Sequence, residues 1–390
     1  VLLLGCVSLL TDLSSEMLYP VIPLFLTATL GAPMAIVGLV EGVAEATASL
    51  LKLVSGRLSD RSGRRREFVT AGYALSSIAK PMLALAGSWT TVLAARVVDR
   101  TGKGIRGPAR DALIAASVPP ESRGRAFGLH KAMDSTGAVL GPLVGLVAMG
   151  VFGLGYRSIF VLAFLPALAG VALTLWVREP VRPAPASTPS PLPPKLTAVP
   201  VSPELRHFLI VVAVFSLGNS SNAFLLLRAR DVGWSATGVI GLYVLYNVVY
   251  AAAAIPAGDL ADRLGRRGVV FAGLGVFAMT YAGLAITSDA RVVAGLLALY
   301  GVYAATTGSA MRALVADTAA STGAATAQGM YQAVNGVGVL FASLIAGGLW
   351  SAFGATAAFA FGAACAIVAA VLFALPAGRS RGPVQRHSGS

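Results

Sequence analysis

The chain has 390 residues, of which 56% are hydrophobic and only 12% charged. A soluble domain carries roughly twice that charged fraction, so the composition argues against a soluble fold and for one built in a lipid bilayer. The formal net charge of +13 could suggest a nucleic-acid partner, but the basic residues crowd alternate loops, which excludes that reading and points to membrane topology.

Twelve apolar runs approach or exceed the roughly 20 residues that a helix needs to cross the hydrocarbon core. In chain order they cover 2–26, 34–55, 68–86, 89–117, 124–150, 156–177, 207–227, 235–257, 268–287, 291–316, 325–350 and 355–375. The longest contain Gly and Pro and are expected to bend. Between them, Arg57 to Arg66, Arg123, Arg125, Arg178 to Arg206, Arg263 to Arg267 and the tail residues Arg379, Arg381 and Arg386 lie on one side. The opposite loops at Gly31–Pro33, Gly87–Ser88 and Ser351–Gly354 carry no basic residue. That asymmetry predicts a multi-pass protein of the cytoplasmic (inner) membrane with both termini cytoplasmic. Arg157, Arg228, Arg230 and Arg291 are exceptions on the outer side. The stretch from Pro180 to Pro203, rich in Pro, Ser and Ala, reads as an extended linker. The expected organisation is a six-helix bundle over 1–178, a cytoplasmic linker over 179–206, a second bundle over 207–376 and a cytoplasmic tail over 377–390.

The segment Gly56-Arg57-Leu58-Ser59-Asp60-Arg61-Ser62-Gly63-Arg64-Arg65 recurs as Gly258-Asp259-Leu260-Ala261-Asp262-Arg263-Leu264-Gly265-Arg266-Arg267, 202 positions on (258 − 56). A repeat on that scale between apolar runs means two homologous membrane halves. Twelve spans, a central linker and two Gly-x-Leu-x-Asp-Arg-x-Gly-Arg-Arg loops in register resemble the major facilitator superfamily over essentially the whole chain. The resemblance implies an all-α fold of two pseudo-symmetric six-helix bundles. Span 5 reads Gly137-Ala138-Val139-Leu140-Gly141-Pro142-Leu143-Val144-Gly145 and is similar to the Gly-x-x-x-Gly-Pro-x-x-Gly signature of the superfamily's proton-coupled exporters. Physically, Gly137, Gly141 and Gly145 permit close helix packing, and Pro142 frees a carbonyl and can bend the helix. Span 4, from Arg96 to Gly104, resembles the Arg-x-x-Gln-Gly-x-Gly-x-Gly pattern of the same exporters. It departs from it at Asp99, Arg100 and Lys103, which argues against a broad preference for lipophilic solutes.

Ionisable side chains within membrane helices are costly and mark function by default. Asp12, Glu16, Glu45, Arg96, Asp99, Arg100 and Asp134 fall in the middle third of their spans, counting 1.5 Å per residue. Transporter sites usually lie at that depth. Asp12, Glu16 and Asp134 are the candidate proton carriers, with Arg96 and Arg100 as their expected partners. The alternative is a permanently paired structural network. Lys131, Asn219, Asn222, Tyr246, Asn247, Tyr331, Gln332 and Asn335 are candidates for the substrate cavity. His130, Lys131 and Asp134 align with the neutral Tyr331, Gln332 and Asn335 of the second half. This predicts that the first half handles charge and the second supplies a more apolar or hydrogen-bonding wall. Gly56, Asp60, Arg61, Gly63, Arg64, Asp111 and Asp262 form the expected cytoplasmic gating set. By resemblance, Asp60 meets a helix N-terminus of the opposite half, with Arg64 and Asp111 completing a charge relay.

The reading is a secondary active transporter that moves a small organic solute by alternating access and proton-coupled efflux, as a monomer and without a cofactor. Uptake, or export of a metal or inorganic ion, is the alternative within transport. Glu41, Glu45, Asp12 and Glu16 could form an oxygen-rich cation site, but the many cations nearby repel a metal. A lipid flippase or a non-transporting membrane sensor is the rival of another class. Nothing in the chain has the spacing of an enzyme's catalytic set, and Cys6 and Cys365 offer no metal or redox pattern.

Overall fold

The computed structural model describes residues 1–177, 201–319 and 324–375. Among the described residues all regular structure is helical, in twelve spans. They are α1 (Leu2–Thr29), α2 (Met34–Ser62), α3 (Arg65–Ala84), α4 (Trp89–Ala116), α5 (Arg123–Gly150) and α6 (Tyr156–Thr174), then α7 (Pro203–Asp231), α8 (Ala236–Leu264), α9 (Arg266–Ile286), α10 (Ala290–Thr318), α11 (Ala324–Phe353) and α12 (Ala355–Ala374). Ten are long and apolar enough to cross a membrane. The other two are α3 and α4, of which α4 carries the densest charge of any span. The proposed linker up to residue 200 and the tail lie outside the described residues.

The repeated motif is less of a loop than its composition suggests. Residues up to Ser62 continue α2 as helix, and the chain turns at Gly63, where φ is 69° and the amide donates to the Ser59 carbonyl. Gly265 makes the matching turn after α8 with φ 77°. Positive φ is cheap only for glycine, so glycine fixes where each helix stops.

Two spans are broken. The α1 helix halts at Leu18, passes Tyr19 and Pro20, and resumes through Val21–Leu24 into a π-turn over Phe25–Thr29. Its partner α7 breaks between Gly218 and Ala223, leaving Asn219 to Asn222 out of the helix. The two breaks are repeat-related: Tyr19 and Ser221 stand 202 positions apart, with their hydroxyls 3.5 Å apart. Non-helical backbone at membrane depth is tolerated where protein or a cavity satisfies it.

Glycines set the close approaches. A methyl added at Gly137 or Gly141 would lie 2.5 Å from the backbone oxygen of Leu9 or Leu13, so the α5 glycine face seats α1. On α4, Gly102 lies against Gly72 and Ser76 of α3, and Gly104 against Ala48 and Leu51 of α2. The second bundle is held instead by rings. Phe277 stacks on Tyr281 at 4.0 Å and meets Phe215 and Tyr303 edge-on at 4.9 and 5.1 Å.

The halves meet at the face opposite the repeated motif. There the Ala35 amide donates to Ser351 (2.9 Å), and Gly38 and Gly347 bring α2 and α11 backbone to backbone. Gly42 and Ser49 continue the seam against Leu340 and Gly336. One turn further toward the basic face Lys52 is exposed. The outer arginines have local tasks. Arg157 donates to Ala84 and Ala86 carbonyls (2.6 and 2.8 Å), and Arg228 to those of Leu284 and Thr287 (3.1 and 2.7 Å). Each satisfies the C-terminal end of a helix, α3 and α9 respectively.

Candidate functional site: a charged cavity between the halves

Where the broken spans meet, a cavity of about 250 Å³ lies between the bundles, bordered by Glu16, Glu45, Arg100, Lys103, Tyr243 and Tyr246 among others. It adjoins two smaller spaces. One of about 30 Å³ reaches into the first bundle past Asp12, Lys80, Arg96 and Asp99. The other, about 10 Å³, is bordered by Leu225, Leu226, Leu297 and Tyr300 of the second bundle and is apolar.

The charged wall is a ladder between α2 and α4. One Arg96 Nη donates to both Glu41 oxygens at 2.8 and 2.7 Å, and Arg100 lies 3.0 Å from Glu45. Both pairs have i, i+4 spacing on their helices, so adjacent helix faces align rung by rung. Lys80 on α3 stands 3.4 Å from Asp99. Arg96 and Arg100 therefore do not take Asp12, Glu16 or Asp134 as partners. The glycine contacts press α4 onto α2 and α3, and the carboxylates within reach are those of α2. Tyr19 is part of this site although the sequence did not single it out, Glu41 pairs with Arg96 rather than serving the cation site considered for it, and Lys80 joins the same network. The matching i, i+4 spacing of the two glutamates was the available signal.

The three candidate proton carriers stand apart from the ladder. Glu16 accepts a 2.7 Å hydrogen bond from the Tyr243 hydroxyl, a bond that joins the two halves. Asp12 lies within hydrogen-bonding reach of Asp134. Asp134 also accepts from Ser8 (3.1 Å) and pairs with Lys131 at 2.7 Å. That pair sits toward the basic face of Ala138, which lines the cavity. Lys131 thus serves Asp134 and is not among the cavity-lining residues.

Facing the ladder is a wall of near-parallel rings. Tyr19 and Tyr243 stack at 5.2 Å, Tyr243 and Tyr246 at 5.7 Å, and Tyr250 continues the row. Asn222, Tyr246 and Asn247 line the cavity. Asn219 lies behind Asn222, and Tyr300 donates to Asn222 at 2.9 Å, with Asn219 at 3.4 Å. Tyr331 and Asn335 are spent on packing: Tyr331 reaches the Met311 sulfur, and Asn335 accepts from Ser216. Gln332, half-buried on the same helix, is not among the lining residues either. Tyr300 was missed; its place opposite the α7 break depends on tertiary packing.

The gating set finds local partners. Gly56 packs on Pro108 and Arg61 is exposed. Arg64 pairs with Glu67 at 3.6 Å and Asp111 with Arg110 at 3.0 Å, so the expected Arg64 to Asp111 relay is not formed. The side chains of Asp60 and Asp262 lie outside the described residues. Among the described residues no group of three or more His, Cys, Asp or Glu side chains is placed to hold a metal ion.

Two six-helix bundles around a charged central cavity define a multi-pass membrane transporter. The sequence model of the Major Facilitator Superfamily matches residues 4–227 and 207–390, and the chain belongs to that family. It is 34% identical over 378 residues to an uncharacterized MFS-type transporter of Methanocaldococcus jannaschii, covering 95% of this chain and 93% of the relative. It is 30% identical over 220 residues to the methylenomycin A resistance protein of Streptomyces coelicolor, covering 56% of this chain and 41% of that protein. The fold is shared with the nucleoside transporter NupG, with a TM-score of 0.79 at 15% identity over 95% of this chain and 97% of that one.

Proposed function

We propose that the protein is a proton-coupled antiporter that exports a small organic solute across the cytoplasmic membrane by alternating access. It works as a single copy, with its basic face and both termini cytoplasmic. The observation that carries this reading is that Asp12, Glu16 and Asp134 stand outside the arginine ladder, with Glu16 bonded across the seam between the halves. Two carboxylates as close as Asp12 and Asp134 repel, and one shared proton relieves the repulsion. A proton on Glu16 removes the charge that holds Tyr243, and so weakens the cross-half bond where the halves must separate. The ladder is already paired and offers protons no comparable vacancy. The resistance protein among the relatives supports export over uptake.

The test uses proteoliposomes with an internal pH-sensitive dye and an imposed pH gradient. Solutes of each charge class are added singly. Solute-dependent proton movement that is lost in Asp134→Asn, with counterflow exchange retained, is the expected result. Normal pH-driven transport by Asp134→Asn would remove that residue from the coupling path.

A further inference from the structure

The central cavity has two unlike walls, and that difference defines a chemistry for its occupant. On the first-half wall each charge but one is engaged. Arg100 holds Glu45 (3.0 Å), and Glu16 takes the Tyr243 hydroxyl (2.7 Å). Lys103 makes no ion pair or hydrogen bond among the described residues. Its direction is fixed by its neighbours: Gly102 is pressed on α3 and Gly104 on α2, so the residue between them on the helix faces the space left over. Glu45 and Asp12 attract it only from beyond bonding distance; a half-buried ammonium with no directly bonded counter-ion is costly, and an anion would relieve it. The opposite wall presents Tyr243 and Tyr246, 5.7 Å apart and inclined by 15°. Offset-stacked and edge-to-face rings gain about 0.5–1.5 kcal/mol beyond burial, and a planar solute could meet the cavity-facing edges of this row. Size sets the third limit. An apolar cavity of about 150 Å³ takes one benzene, so about 250 Å³ admits one ring or two fused rings.

We propose that the solute is an aromatic anion of one or two fused rings, its acid group on Lys103 and its ring against Tyr243 and Tyr246. This rests on the transporter reading above and names the substrate class for that site. A lone cation would meet Lys103, while the two lining carboxylates, Glu16 and Glu45, are already taken by Tyr243 and Arg100. A neutral planar molecule would leave Lys103 unpartnered. A saturated acid of equal size would lose the stacking.

The probe is 1-naphthoate, with its affinity for the full chain in nanodiscs measured directly. Three matched compounds each change one property: 1-naphthylmethanol lacks the charge, 1-naphthylmethylamine reverses it, and decahydronaphthalene-1-carboxylate is not planar. Naphthoate is expected to bind at least about tenfold more tightly than each. Lys103→Gln should weaken naphthoate about tenfold without moving the alcohol, and Lys103→Arg should restore it. Tyr246→Leu should weaken naphthoate and the alcohol together. Equal binding of the amine or the saturated acid, or an unchanged naphthoate affinity in Lys103→Gln, overturns the assignment. So does absence of naphthoate binding to a chain shown folded by its melting curve. The parent reading fails separately. Naphthoate that binds but moves no protons counts against coupling and leaves the substrate class standing. Protons driven by another solute, with naphthoate inert, do the reverse.

Discussion

At matching positions of the repeat, 202 residues apart, α2 carries Glu41 and Glu45 where α8 carries Tyr243 and Asn247. On α4 the run from Arg96 to Arg106 holds five ionisable groups, whereas α10 places Ala298, Gly301, Val302, Ala305 and Gly308 at the same offsets. One scaffold has therefore been stiffened in two ways. The first half is pinned by ion pairs between adjacent helices. The second is pinned by a ring cluster that needs no counter-charge. The lesson is that a membrane bundle can concentrate its charge in one half, provided the pairs close within that half and leave free those groups that face the seam. The groups left out of those ion pairs are Asp12, Glu16 and Lys103, and all of them border the cavities.

The comparison breaks first at the ladder. Arg96 is 4% and Glu41 2% exposed. Arg96→Met would leave Glu41 buried without its counter-ion, and breaking such a pair costs about 3–5 kcal/mol. A melting temperature in detergent that falls sharply in Arg96→Met and recovers in the Glu41→Gln/Arg96→Met double variant is the expected outcome. Arg100→Met should cost less, because Glu45 is 36% exposed and water can replace the lost partner. Equal losses at the two rungs would show that burial does not rank them.

The next test concerns the seam, where neither half can yield. A side chain at Gly38 would overlap the Ser343 carbonyl, a backbone atom that cannot move aside. Gly38→Leu should penalise the state closed at this face by about 3 kcal/mol, more than a hundredfold in population. The check is modification of a cysteine placed in the central cavity by a reagent supplied from that face. Reactivity should rise in Gly38→Leu, while solute counterflow falls. Smaller again is Tyr243→Phe, which removes the donor to Glu16. A hydrogen bond to a charged group contributes about 1.5–3 kcal/mol. The variant should therefore favour separation of the halves by about tenfold, read as increased accessibility in the same assay. No change would mean that the bond does not join the two motions.

The twelve spans and the two-fold repeat were legible because they are written in hydropathy and in the recurrence of a ten-residue motif at a fixed offset. The division of chemistry between the halves was also visible, since charged and neutral residues occupy aligned positions. The partners of Arg96 and Arg100 were not. Spacing along a helix tells which residues share a face, but not which neighbour that face meets. That was decided by Gly102 and Gly104, whose missing side chains draw α4 onto α3 and α2. The α7 break was hidden for a related reason: no proline marks it, and Asn219 to Asn222 leave the helix where Tyr300, Ser343 and Glu41 supply hydrogen-bond partners. The same three contacts come from α10, α11 and α2, far apart in sequence.

The smallest effect is expected where the halves use the same device. Arg157 and Arg228 each close the outer end of a helix by donating to its last carbonyls, on α3 and α9. If each half's chemistry matters only near the cavity, these two arginines should differ by burial alone. A cation at a helix C-terminus contributes about 0.3–1 kcal/mol when exposed and up to about 2 kcal/mol when partly buried. Arg228, 8% exposed and paired with Asp231, should fall near the upper value on replacement by Ala. Arg157 is exposed and should fall near the lower one, even though its guanidinium also lies 5.4 Å from the Phe25 ring. Melting curves of the two variants would rank them. A larger loss for Arg157→Ala would mean that the first half depends on its charges out to its rim, and that the contrast between the bundles extends beyond the site.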